Sequence, residues 1–201
     1  MAEVNGALGP RLHSICTASK HFDDTSKVAR VNYAGNSDAE VLRVWLQGSR
    51  LHSRGLLDDD GGGAFSTEGF GTKPGHAFVW LKDGTLVSHV HRAGEFHHSS
   101  FGGGKKVRCA GTWIVKNGLI TMMDNNSGHY QPSDGHFLTL LQFFEKAGAT
   151  DASTKVGTHS TVKGFGARCA QADYIKVADY YQKVQGRATF RYDNANLTRG
   201  D

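Results

Sequence analysis

Two glycine turns constrain this chain more than any other feature. His76–Trp80 and Thr85–His91 are β-prone runs on either side of Lys82-Asp83-Gly84. Val107–Val115 and Leu119–Met123 flank Lys116-Asn117-Gly118 in the same way. Asp-Gly and Asn-Gly accept positive φ, so each unit reads as strand, tight turn, strand. Hairpins are marginal alone and need a shared buried face, which predicts a mostly antiparallel sheet over residues 64–123. Three helices are expected to flank it. Ser37-Asp38-Ala39-Glu40 has the form of a capping box ahead of Val41, Leu42, Trp45 and Leu46, giving a helix near 38–47. Ser133 or Asp134 can cap a second helix over 134–147, with Phe137, Leu140, Leu141 and Phe144 on its apolar face and Gly148 past its end. Tyr174, Val177, Tyr181 and Val184 have helical spacing, for a third near 171–185. The fold class is α+β: a mostly antiparallel sheet of hairpins with flanking helices. No linker divides the chain, so residues 1–201 read as a single domain.

Composition narrows the function classes. The net charge is +4 and the pI about 9.0, but the charge is dispersed. Its one local cluster, Lys105-Lys106-Val107-Arg108, reads as a solvated face or, more sharply, a phosphate site. Nucleic-acid binding shows a denser basic stripe with interleaved aromatics, so no nucleic-acid partner is expected. No apolar run approaches the roughly 20 residues of a membrane span, so no membrane association is expected. The N-terminal residues lack the basic start and apolar stretch of a secretory signal. A monomer is expected, in the cytoplasm or delivered into a host cell. Cys16, Cys109 and Cys169 are odd in number and form no CxxC pair, so neither a disulfide nor a metal site is expected. Reduced thiols are the plain reading; a nucleophilic role, for which Cys109 ranks ahead of the other two, would need a base placed by the fold. Asp58-Asp59-Asp60-Gly61-Gly62-Gly63 reads as a solvated loop, since consecutive carboxylates seldom converge on one ion.

Two segments concentrate polar chemistry. Glu95-Phe96-His97-His98-Ser99-Ser100-Phe101 is followed by Gly102-Gly103-Gly104. Its imidazoles can exchange protons near neutral pH, and its glycines let backbone approach a ligand. The plain alternative is a tight turn whose histidines bond to backbone carbonyls. Ser127-Gly128-His129-Tyr130 lies between the second hairpin and the following helix, where loops often carry working groups. His76 and His136 are further candidates. We expect His98, Ser100, His129 and Tyr130 to line one cleft.

These residues also carry a resemblance. Phe78-Val79, Thr85-Leu86, Gly94, Phe96, His98-Ser99-Ser100-Phe101, Gly103, Ala110-Gly111, Gly118-Leu119, Ser127-Gly128-His129-Tyr130, Pro132 and Phe137 resemble the core of the plant IQ-motif calmodulin-binding proteins over about residues 76–147. The resemblance implies a strand leading into a His-Ser-Ser-Phe turn, then an Ala-Gly strand, then Ser-Gly-His-Tyr-x-Pro before a helix. It implies that His98, Ser99, Ser100, Ser127, His129 and Tyr130 come together. Gly102 and Cys109 depart from the family's pattern. The chain shows no IQ segment, so calmodulin binding does not carry over.

A second likeness is to ADP-ribosyltransferase effector toxins. Arg54-Gly55, then Phe65-Ser66-Thr67, then a later glutamate, follow the order of that superfamily, although no Q-x-E or E-x-E triplet occurs. This likeness implies transfer of ADP-ribose from NAD to a protein acceptor, a host protein for an effector. Glu95 or Glu68 would stabilise the positive charge that develops when nicotinamide leaves. Arg54 or the Lys105-Lys106 pair would hold the pyrophosphate, His98, Ser99, Ser100 and Ser127 the remainder of NAD, and Tyr130 would stack on nicotinamide. The competing readings are a non-catalytic protein- or sugar-binding module that uses the same cleft, and a hydrolase in which His129 is the base for Ser99 or Ser100.

Overall fold

The computed structural model describes residues 42–54, 63–67, 75–90, 98–100, 106–127, 130, 132–158, 161 and 173–184, together with the backbone of 20–22 and 30–32. The last two segments, β1 (Lys20–Phe22) and β2 (Arg30–Asn32), pair antiparallel as a separate two-stranded sheet.

Both expected hairpins are present. In the first, β6 (His76–Leu81) pairs with β7 (Leu86–His89), and Gly84 supplies the positive φ, 93°. The carboxylate of Asp83 accepts from the Thr85 N–H at 2.8 Å and so fixes the turn. In the second, β8 (Val107–Lys116) pairs with β9 (Leu119–Asp124). Asn117 (φ 47°) and Gly118 (φ 77°) are both left-handed, as a two-residue hairpin turn of matching twist requires.

A third hairpin stands where a helix is expected. Residues Arg43–Gln47 form β3, which turns at Gly48 (φ 61°) into β4 (Arg50–Ser53). The helix near 38–47 is therefore corrected within its described part. Val44 and Leu46 alternate with Arg43, Trp45 and Gln47, and β3 finds a partner on each edge, β4 and β7. Those ladder bonds and the burial of Val44 outweigh a local helix start. The short β5 (Gly63–Ala64) extends the sheet past β4. At its other end β10 (Lys155–Gly157) joins β9, the one parallel pairing, and β11 (Ile175–Lys176) pairs antiparallel with β10. The order of the nine strands is β11-β10-β9-β8-β6-β7-β3-β4-β5.

The sheet curls back on itself. Leu51 N–H donates to the Gly118 carbonyl (2.9 Å), Gly118 N–H to Phe65 (2.8 Å) and Thr67 N–H to Val115 (2.9 Å). The segment after β5 thereby ties β4 to the turn end of the β8–β9 hairpin. Val115 sits at a shift in the β8–β9 register, which bends the strand where the extra bond is made.

Inside the curl lies the core. Phe78, Trp113, Val115 and Leu51 from the sheet meet Phe137, Leu140, Leu141, Phe144 and Tyr180 from two helices. These helices are α1 (Asp134–Lys146) and α2 (Val177–Val184). Trp113 is the pivot, with Phe78 at 4.8 Å and Phe65 and Phe144 each at 5.9 Å between ring centroids. Its indole N–H donates to the Ser88 hydroxyl (2.8 Å), which donates to the Ala77 carbonyl (3.1 Å), so the buried polar atoms are matched. Helix α1 starts at the Ser133 cap, and Gly148 (φ 74°) follows its end. Helix α2 begins later than the expected 171. Tyr174 lies ahead of it, and Ile175 and Lys176 are drawn into β11.

Candidate functional site

Strand β9 crosses the inner face of β8 at Gly111. A Cβ placed on Gly111 would lie 1.8 Å from the Asp124 carbonyl oxygen and 3.0 Å from the Phe78 ring. Only glycine allows that approach. The crossing delivers the Asp124 side chain into the protein interior, 1% exposed. Its Oδ1 accepts from the backbone N–H of Thr112 (2.8 Å) and of Asn126 (2.9 Å). Its Oδ2 accepts from the hydroxyls of Thr112 (2.6 Å) and Tyr174. Burial pushes the carboxyl above its ordinary range, and the four donors pull against that shift. Asp124 thus joins β8, β9 and the approach to α2 in one knot.

The His-Ser-Ser turn docks on the same place. His98 to Ser100 form a single 3-10 turn, and the His98 imidazole reaches the Gly111 carbonyl at 2.8 Å through Nε2. A carbonyl can only accept, so Nε2 carries the hydrogen in that bond. The Ser-Gly-His-Tyr segment begins three residues after Asp124. Ser127 accepts the Tyr130 N–H on its hydroxyl oxygen (3.3 Å), and the Asn125 amide donates to the Pro132 carbonyl (2.7 Å). The chain then enters α1 through Ser133. There the imidazole of His136 takes the part that a glutamate plays in a capping box. Its Nδ1 lies 2.7 Å from the Ser133 hydroxyl and accepts the Ser133 N–H at 3.3 Å. Burial lowers the pKa of His136, which keeps Nδ1 available as that acceptor.

His98 thus bonds to backbone at Gly111, and Ser127, just past the end of β9, bonds to the Tyr130 N–H. His98, Ser100, Ser127 and Tyr130 are 5%, 0%, 1% and 2% exposed, where a cleft lining would be open to solvent. Glu95, Glu68 and His129 lie outside the described residues, as does the side chain of Ser99. Arg54 is exposed just past β4. Leu51 of that strand meets Gly118 at the turn end of the β8–β9 hairpin, whereas Gly111 sits toward the Asp124 end. Arg54 is thus not brought to the His98 turn. Cys109 is fully buried, and burial raises its thiol far above the usual thiol range, which does not suit a nucleophile. Cys16 and Cys169 lie outside the described residues. Among the described residues no cluster of three or more His, Cys, Asp or Glu is placed to hold a metal ion. No helix among them is long and apolar enough to cross a membrane.

The residues that organise this region, Gly111, Thr112, Asp124 and Tyr174, were not singled out as site candidates from the sequence. A carboxylate ending the apolar run Leu119–Met123, followed at once by Asn125-Asn126, was the available signal.

Comparison with known proteins agrees with the first resemblance. Residues 65–137 match the family model for the IQ motif-containing protein middle domain. The IQ domain-containing protein IQM3 of Arabidopsis thaliana is 41% identical over 69 residues, covering 34% of this chain and 15% of that protein. IQM2 of the same plant is 38% identical over 69 residues, 34% of this chain and 11% of its own length. IQM1 is 26% identical over 128 residues, 63% of this chain and 24% of its own. The chain spans about a quarter or less of the length of these relatives. No solved structure matches. The chain thus resembles the plant IQ-motif calmodulin-binding proteins, and the likeness to effector toxins is unsupported. This overturns ADP-ribosyl transfer and NAD as cofactor. The Phe65-Ser66-Thr67 run that suggested them begins the matched middle domain, where Phe65 packs on Trp113 and Thr67 bonds to Val115.

Proposed function

We propose that this region is a non-catalytic module for binding a protein partner. The observation that carries the reading is the burial of His98, Ser100, Ser127 and Tyr130, with His98 bonded to the Gly111 carbonyl and Ser127 to the Tyr130 N–H. A general base needs a reachable proton and a nucleophile needs an activated, accessible atom. These side chains instead satisfy backbone groups that a curled sheet would otherwise bury unpaired. The motif then marks how the domain is built, and recognition falls to its surface.

Calmodulin is the first partner to test, because the relatives are named as IQ domain-containing proteins and the resemblance is to calmodulin-binding ones. The matched segment is their middle domain, so contact would be made by the folded surface. Calorimetric titration of the full chain with calmodulin, in calcium and in chelator, should give saturable heat, and titration with NAD should give none. Nicotinamide release on incubation with NAD would overturn the non-catalytic reading. Absence of heat in both calmodulin titrations would remove calmodulin as the partner.

A further inference from the structure

The outer face of the β3–β4 hairpin gathers a charge pattern that the linear sequence hides. The register pairs Trp45 with His52 and Gln47 with Arg50. Val44 and Leu51 point into the core, so Arg43, Trp45 and Gln47 of β3 share the opposite face with Arg50 and His52 of β4, and the alternation carries on to Arg54. Trp45 and His52 stack at 6.3 Å with an interplanar angle of 29°, both half-buried. Arg43 and Arg54 are exposed. Arg50 reaches sideways to the Asn117 carbonyl (2.8 Å), beside exposed Lys116. Among the described residues from 42 to 54, from 63 to 67 and from 116 to 118 there is no aspartate or glutamate.

We propose that this face docks an extended acidic segment of a protein partner. The idea rests on the binding-module reading above and names the chemistry of the partner. Charge complementarity sets the class of occupant, and spacing sets its form. Alternate residues of a strand stand about 6.8 Å apart, so Arg50, His52 and Arg54 repeat at the interval of alternate side chains in an extended peptide. A segment with a carboxylate at every second residue can place one on each arginine, whose planar fork suits a carboxylate. Single-stranded nucleic acid is disfavoured by the same geometry. Base stacking needs an open ring face, and the Trp45–His52 stack takes up one face of each ring.

The experiment titrates the full chain with a blocked twelve-residue peptide of alternating Glu and Ser. Fluorescence reads the result, since Trp45 is half-exposed while Trp80 and Trp113 are buried. Controls are a peptide with a glutamate at every third residue, which puts successive carboxylates on opposite faces of an extended chain, and a thymidine dodecamer. The alternating peptide should bind tightest, should weaken with added salt, and should lose about tenfold in affinity in Arg54→Glu. Arg54 is exposed at a strand end, so that variant should fold, and circular dichroism verifies it. Lack of binding by the alternating peptide, equal binding of the peptide with glutamate at every third residue, tighter binding of the oligonucleotide, or unchanged affinity in Arg54→Glu overturns the proposal. A partner that still gives heat with Arg54→Glu would sink this face and leave the module reading standing.

Discussion

Gly111 shows how much a single position can decide. Its hydrogen stands where the Asp124 carbonyl passes, so Gly111→Ala forces a strand apart rather than moving a flexible side chain. The expected cost is roughly 3 kcal/mol or more, at the upper end for overpacking, read as a fall in the urea midpoint. A loss under about 1 kcal/mol would show that the crossing is looser than described. His76 offers a test by pH. It is buried on β6, and burial lowers its pKa from 6.5 to about 4. The unfolded chain takes up this proton first, so stability is full above pH 6.5, falls as pH drops through the unfolded value, and levels near 4. The span corresponds to about 3 kcal/mol. Asp124, with its carboxyl raised, works in the opposite sense at the acid end. The difference between the wild type and His76→Gln isolates the histidine. If the two profiles run parallel between pH 4 and 6.5, the burial of His76 is not what sets its titration.

At the scale of elements, the α1 cap joins the second motif to the core. Ser133 accepts the His136 N–H and is bonded in turn by the imidazole. Ser133→Ala should cost about 1 kcal/mol and destabilise α1 without touching the sheet. His136→Gln, an uncharged capping-box partner for this buried position, should cost less than Ser133→Ala. Thermal melts of the two variants separate these outcomes. The same element was legible from sequence, because Ser133, the periodic Phe137, Leu140, Leu141 and Phe144, and Gly148 all act locally. The two hairpins were legible for that reason too, since Asp83-Gly84 and Asn117-Gly118 specify their turns. The stretch around β3 misled because Ser37-Asp38-Ala39-Glu40 has the form of a helix start, while the partners that make Arg43–Gln47 a strand, β4 and β7, come later in the chain. The two-residue loop Gly48-Ser49 was the overlooked hairpin signal. Of the candidate site, His98 bonds to the Gly111 carbonyl and Ser127 follows the end of β9, and the crossing of β9 at Gly111 beside them is encoded by no local pattern.

For the molecule as a whole, the curl of the sheet separates structure from recognition. Residues that look reactive in the sequence are spent inside it, pinning Gly111 and the end of β9. The outer surface keeps the charge, with Arg43 and Arg54 at one end of the sheet and Phe143, 40% exposed, stacked on Trp80 beneath Arg108 elsewhere. The module proposed above has the His-Ser-Ser and Ser-Gly-His-Tyr segments build the domain rather than carry out a reaction. Its most direct test is carbethoxylation of the folded protein near neutral pH, followed by mass spectrometry of each histidine. A working histidine must be reachable by a small reagent, while one held against the Gly111 carbonyl inside the protein is not. The account predicts rapid modification of half-exposed His52 and protection of His98 until the protein is unfolded. Modification of His98 in the folded state at a rate like that of His52 would contradict it.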